Sequence, residues 1–431
     1  MKVFLENFKR NLLSMALPSV ITGMVAGIVI SFFKISADFI VNISGKFYTF
    51  ASTTVWHGAV CLCVVIALSL CAFFIAKKFP FSKGGGIPFS FTISQTNLKF
   101  GVIGTFFATF LSSLITFFVG VPLGVEGPSV QLGALLGCQF SKSDNKKELT
   151  TVSAGAGFCA ATGSALGGFL FSFEEMKGKI NAKQVVSAFL CTAFSYLSSF
   201  FLCRAFGVHF SLFEKLKFTE SPKLLIFLPL TAGVLCGGAA VFFTKLATTT
   251  RKLFNTFKAP KPLPLLVVFA AVFVTALFVD NAAGSGLDLI KSLSSQNLVL
   301  SIVMLLLVLR TLFLVVSNAI GITGGLFVPL LTLGALTGAL CFLIANHLFS
   351  LPIGSEVYFI VLFAGAFISA TNKMPLTVTA FLCETFCGFG ALLPVLAATL
   401  ISFGLFNLFC KKDLTEEVFE ELKEKNCKCS S

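Results

Sequence analysis

Four acidic residues, Glu126, Glu174, Glu175 and Glu384, lie in stretches that are otherwise apolar. A charged side chain at the centre of a membrane helix costs roughly 2.5–3.5 kcal/mol on insertion scales, so such groups face a protein interior or water and mark ion or proton paths. Glu126 stands inside a glycine-rich break that ends in proline, Gly124-Val125-Glu126-Gly127-Pro128. Two more breaks have the same form, Gly84-Gly85-Gly86-Ile87-Pro88 and Gly324-Gly325-Leu326-Phe327-Val328-Pro329. Glycine allows unusual backbone angles and close approach, and proline suits the first turn of a helix, where its missing N–H costs nothing. Each break therefore predicts a helix that starts inside the membrane with unpaired N–H groups and the positive end of its dipole facing inward. Such an end binds an anion without a full positive charge, and can also release it. A single break would be no more than a kink or a close-packing contact. Three of one form, two of them repeat-related, point to an anion path.

At such a helix start the Glu126 carboxylate can take the place of an anion. Ionised, it blocks the path; protonated, it leaves and admits the anion, so one side chain can exchange a proton for an anion. Glu174 and Glu175 are adjacent and point to different helix faces. Glu175 is expected to relay protons, whereas Glu174 and Glu384, which match each other across an internal repeat, equally suit a capping role. Arg310, inside an apolar stretch, needs a buried acceptor. The residues give no metal-ligand spacing: His57, His209 and His347 are far apart, and the fourteen cysteines are scattered through apolar segments as small buried hydrophobes. No cofactor is expected. Cys427-Lys428-Cys429 lies in a polar tail read as disordered. An intramembrane enzyme is disfavoured, because no Ser–His pair, paired Asp or HExxH accompanies the buried acids.

The elements that position these groups must span a bilayer. Of 431 residues, 56% are hydrophobic and 12% charged, against about 25% charged in soluble domains. Apolar runs at Asn11–Phe33, Val60–Ile75, Leu224–Phe243, Leu263–Phe278, Leu298–Leu309 and Pro394–Phe409 include several long enough to cross a core of roughly 30 Å. Met1–Phe33 reads as a first membrane helix rather than a cleaved leader, because its apolar stretch is long and lacks a small-residue cleavage site. The net charge of +13 would point to nucleic acid in a soluble protein. Here it reads as Lys and Arg gathered in cytoplasmic loops, placing the N- and C-termini in the cytoplasm. Pro128–Gly137 and Pro329–Gly338 share P-x-x-x-L-G-A-L-x-G at a separation of 201 positions, and Ala154-Gly155-Ala156 matches Ala364-Gly365-Ala366 at 210. The second register also aligns Glu174 with Glu384, and Glu175 with Thr385. The chain is expected to comprise two membrane repeats, 1–215 and 216–412, and a short cytoplasmic tail, 413–431. Duplicated transporters place the substrate where interrupted helices meet near the midplane.

These motifs together resemble the CLC family of chloride channels and chloride/proton antiporters, of the prokaryotic type without cytoplasmic nucleotide-binding (CBS) domains. The resemblance covers nearly the whole chain. Gly84–Pro88 is similar to the family's GSGIP motif, Gly124–Pro128 to GREGP and Gly324–Pro329 to GxFxP; Gly168–Met176 and Pro375–Pro394 resemble its two glutamate-bearing segments. It implies an all-α polytopic fold of two inverted repeats with broken, re-entrant helices meeting at a central anion site, and a homodimer in the cell membrane. It further implies that Glu126 is the gate, Glu175 the internal proton-transfer residue, and Glu174 a lining residue of the water path. The implied anion site comprises Gly85, Gly86, Ile87, Gly124, Val125, Gly127, Gly325, Leu326, Phe327 and Thr415. The partners would be chloride or a related small anion, protons and lipid, with no nucleic acid. Three positions depart from the pattern. Gly85 replaces the motif serine, Val125 the motif arginine, and Thr415 falls where the family has its pore tyrosine. A passive anion channel is therefore the alternative to an antiporter, and a fluoride-selective exchanger a further variant.

Overall fold

The computed structural model describes residues 2–96, 98–141, 145–213, 222–256, 262–293, 299–352 and 354–429, with side chains described except at 2–14, 222–225 and 424–429. The boundary expected between the halves, and the side chains of Cys427 and Cys429, lie outside the described residues. The first half contains α1 (Lys2–Ala51), α2 (Val55–Lys78), α3 (Ile87–Gln95), α4 (Val102–Val119), α5 (Glu126–Phe140), α6 (Lys146–Thr162), α7 (Ala165–Glu174) and α8 (Ala182–Ala205). The second contains α9 (Pro222–Thr256), α10 (Leu263–Phe278), α11 (Leu287–Leu293), α12 (Leu300–Ile320), α13 (Phe327–Phe349), α14 (Ser355–Asn372), α15 (Pro375–Leu382) and α16 (Leu392–Phe409). A last helix, α17 (Leu414–Cys429), follows.

Among the described residues, nine helices are long and apolar enough to cross a membrane. Their outward faces carry Phe74, Phe107 and Phe201, each more than half exposed, an arrangement stable against lipid rather than water. The expected first membrane helix is longer than its apolar run, because α1 continues past Phe33 to Ala51. The tail also differs from expectation. Instead of being disordered it forms α17, whose start carries a reciprocal cap: Asp413 accepts from the Glu416 N–H at 2.7 Å and Glu416 accepts from the Asp413 N–H at 3.1 Å.

The core is built on the duplication. Helices α6 and α14 are buried along almost their whole length. Each packs tightly on the preceding break helix, α6 on α5 where Gly133 meets Gly157, and α14 on α13 where Gly334 meets Ala364. The residues that end α4 and α12, Gly120 and Gly321, have the same left-handed φ of 78° and lie 201 positions apart; Gly163 and Lys373, which end α6 and α14 in that conformation, lie 210 apart. These are the offsets of the sequence repeat.

The halves also meet head to head. Short helices α7 and α15 cap one another. Glu174, at the end of α7, accepts from the Leu376 and Thr377 N–H groups at the start of α15, at 3.0 and 2.6 Å. Glu384, in a π-helical turn after α15, accepts from the Leu166 and Gly167 N–H groups and the Ser164 hydroxyl at the start of α7. Reciprocal capping of this kind requires antiparallel helices, as inverted repeats provide.

Candidate anion and proton site

All three glycine-rich breaks converge on one junction. Gly124 and Gly325 form an antiparallel backbone bridge, each N–H donating to the other's carbonyl at 2.8 and 2.7 Å. Gly84 donates to the Gly321 carbonyl at 3.0 Å and accepts from Gly324 at 3.3 Å. Helices α3, α5 and α13 therefore begin side by side. Gly86 holds a φ of 79°, open to glycine at no steric cost. A Cβ on Gly127 would overlap the Gly85 carbonyl and come within 2.6 Å of the Gly325 Cα, so only glycine lets the strands at the helix starts touch.

The ten expected anion-site residues divide into three groups. Gly85, Gly86, Ile87, Leu326 and Thr415 line one cavity of about 480 Å³, which also includes Asn318, Asn372 and the α17 residues Val418 and Glu421. We term this the tail-side cavity. Val125 lines a second cavity of about 690 Å³, together with Glu126, Val328 and Lys34. Gly124, Gly127, Gly325 and Phe327 line neither and are all buried, forming a wall between the two cavities. Gly124 and Gly325 are not free amide donors, because each N–H is engaged by the other's carbonyl. The first-turn amides of α5 and α13 have no intrahelical acceptor and supply the positive end at the wall. The Phe327 ring points away from it, packed edge-on against Phe158 and Phe381 at centroid distances of 5.0 and 5.2 Å.

Glu126 is 1% exposed at the first residue of α5. Its carboxylate folds back over Gly124, and Oε2 has no hydrogen-bond partner. The carboxylate lies at the junction of two helix N-termini, where the Glu126 and Val328 N–H groups act on it. Glu175 is buried on the other side, 4% exposed, and accepts from the Thr415 hydroxyl at 2.8 Å. Thr415 thus joins the second acid to the lining of the tail-side cavity. The two oxygens of Glu174, expected to line the water path or to serve as a cap, accept from α15 amides.

Beyond the membrane helices, Asp413 is nearly buried beside Glu175. Burial, and then the Glu416 carboxylate, push it up to about 6 against the opposing Glu416 N–H, Lys373 and Lys177. Glu416 pairs with both Lys177 and Lys373. Burial opposes its ionisation, but those two ammonium groups and the Asp413 N–H bring it below the usual carboxylate range.

Arg310 finds carbonyl acceptors rather than an acid: its guanidinium donates to Asn281, Ala283 and Gly284 at 2.6–3.2 Å, bracing the loop before α11. Sequence reasoning missed Lys34, buried in α1, and Asn318 and Asn372, polar groups near the ends of α12 and α14. Each is a polar residue in an apolar helix, which was a usable signal, but nothing in the spacing tied it to the glycine breaks.

Residues 68–407 match the voltage gated chloride channel family. The H(+)/Cl(-) exchange transporters ClcA of Salmonella paratyphi B and Salmonella newport are each 25% identical over 350 residues, covering 78% of this chain and 74% of theirs. Among solved structures, a slow cyanobacterial Cl-/H+ antiporter superposes with a TM-score of 0.86 at 18% identity, over 95% of this chain and 97% of that one. A CLC-type fluoride/proton antiporter does so with a TM-score of 0.76 at 18% identity, over 92% and 96%.

Proposed function

The chain belongs to the voltage gated chloride channel family, and on that premise we propose that it exchanges chloride for protons across a membrane. The observation that carries this reading is Glu126, a buried carboxylate with an unpartnered oxygen where two opposed helices begin. In the exchange, ionised Glu126 occupies the position between the two cavities and excludes chloride. Protonation removes its charge and its attraction to the amide ends, so it swings out and an anion replaces it. Glu175, reached from the tail side past Thr415, supplies and collects the proton there. Glu174 is assigned to capping α15. The anion's second resting place is at the start of α3, a reading supported by the lining of the tail-side cavity by Gly85, Gly86, Ile87 and Leu326, with Asn318 and Asn372 as nearby side-chain donors. Chloride rather than fluoride is favoured by the exchange activity in the names of the ClcA relatives and by Gly127-Pro128 after the glutamate.

The membrane is the cell membrane, and the tail side is cytoplasmic. Lys177, Lys373 and Arg251 all pair with α17 there, in keeping with the bias of Lys and Arg toward the cytoplasm. The working unit is a homodimer, an expectation carried over from the family resemblance.

The direct test of the gate is chloride flux through Glu126→Gln in proteoliposomes. Wild-type flux should rise as pH falls, because protonation unblocks the path. Flux through the variant should be insensitive to pH and carry no protons. A variant that keeps wild-type pH dependence and proton coupling would contradict the gate assignment.

A further inference from the structure

We propose that Lys34 is a specificity-determining residue of this transport, a fixed buried cation that draws the anion into the cavity beside Glu126. The inference rests on the transport reading above and adds a residue to it. Among the described residues, the buried cations are Lys34 and Arg310, at 6% and 2% exposure. Arg310 has its guanidinium enclosed by the carbonyls of Asn281, Ala283 and Gly284. Lys34 is held differently. Its ammonium donates to the Phe210 carbonyl at 2.9 Å, and no carboxylate forms an ion pair with it among the described residues. An ammonium has three donors, so two remain for an anion or water in the cavity that Lys34 lines with Glu126.

A buried cation can also be settled by carbonyls alone, as Arg310 is with four hydrogen bonds; Lys34 has one such acceptor, the Phe210 carbonyl, and so keeps donors to spare. Here the acidic groups that act on it are the buried Cys203 thiol of α8, Asp38, exposed one turn along α1, and Glu126 itself. The other charged or titratable groups around this cavity are Asp288 and Lys291 on α11, which pair with each other at 3.7 Å near solvent, His209 in the loop after α8, Tyr48 on α1, whose hydroxyl donates to the Val119 carbonyl, and Arg310, whose guanidinium is taken up by the carbonyls of Asn281, Ala283 and Gly284. Val125, the residue next to the gate in sequence, contributes no charge. The cation beside the gate therefore comes from a different element, α1, held by a carbonyl of the loop that follows α8. A positive charge facing a cavity with low-dielectric walls raises the local concentration of an anion there.

The test is the initial rate of chloride influx into proteoliposomes as a function of external chloride. Lys34→Gln keeps an amide N–H for the Phe210 carbonyl and loses the charge. Its KM for chloride should rise several-fold with Vmax within about twofold of wild type. Lys34→Arg should restore the wild-type KM. Asp38→Asn removes the opposing exposed charge without touching the anchor, and should lower KM by about twofold. If Lys34→Gln does not elute as folded protein, Asp38→Asn decides alone. An unchanged KM in the folded variants, or a fall in Vmax shared by Gln and Arg, overturns the proposal and makes Lys34 a packing anchor. Absence of saturable chloride influx in wild type would instead overturn the transport reading beneath it.

Discussion

Glu174 and Glu384 differ from Glu126 and Glu175 in what their oxygens touch. The first two accept from backbone N–H groups at helix starts, where a negative charge is stabilised by orphan donors and the dipole. Glu126 has an oxygen with no partner, and Glu175 is met by a single hydroxyl, from Thr415. In the proposed mechanism this contrast is the basis for treating the first two as caps and the other two as carriers. Hydrogen bonds to charged groups contribute about 1.5–3 kcal/mol. Glu174→Ala and Glu384→Ala should each lower the thermal unfolding midpoint of the detergent-solubilised protein by several degrees. Glu174→Gln, which keeps an acceptor oxygen, should retain both stability and proton coupling; loss of coupling with intact chloride flux would return Glu174 to the proton path. The sequence made Glu126 readable because its own neighbours form the break. Lys34 was not readable, because its relation to Glu126 exists only after α1 packs beside the break.

At the scale of elements, the starts of α3, α5 and α13 could be read from glycine and proline, since those residues dictate local backbone geometry. Which amides remain available could not, because the Gly124–Gly325 bridge depends on two segments meeting antiparallel. The tail was misread for a similar reason. Its composition is polar, yet α17 is held by contacts remote in sequence: Phe419 against Phe91 at a centroid distance of 5.0 Å, and Arg251 with Glu421 at 3.1 Å. Its docking should depend on pH through Asp413. Burial raises this group from 3.8 to about 6 in the folded protein, so the folded state binds the proton more tightly than the unfolded one. That contribution is fully present below about 4 and is lost as pH rises through about 6. Glu416, shifted the other way, contributes stability that is present above its ordinary value of 4.5 and lost as pH falls through its lowered value, below the range compared here. Hydrogen exchange of α17 amides, corrected for the intrinsic effect of pH, should therefore show weaker protection at pH 7.5 than at pH 5. Asp413→Asn keeps an acceptor for the Glu416 N–H and should abolish the difference. Equal pH dependence in the variant would remove Asp413 from the control of docking.

For the whole molecule, the duplicated chain brings two helix starts of opposite repeats to one wall, with a cavity on each side. The two cavities share no lining residue, and Glu126 lines the one on the far side of the wall from the tail; in the proposed exchange, passage is decided there. The repeat offsets in the sequence already implied this convergence. The inversion came from three-dimensional contacts, above all the reciprocal caps of α7 and α15. The measurement that bears most directly on coupled exchange is proton movement in proteoliposomes loaded with a chloride gradient and no proton gradient. Wild type should drive protons uphill as chloride runs down, and Glu175→Gln should lose the proton movement while keeping part of the chloride flux. Rapid chloride flux in wild type with no uphill proton movement would contradict exchange and leave a passive anion channel.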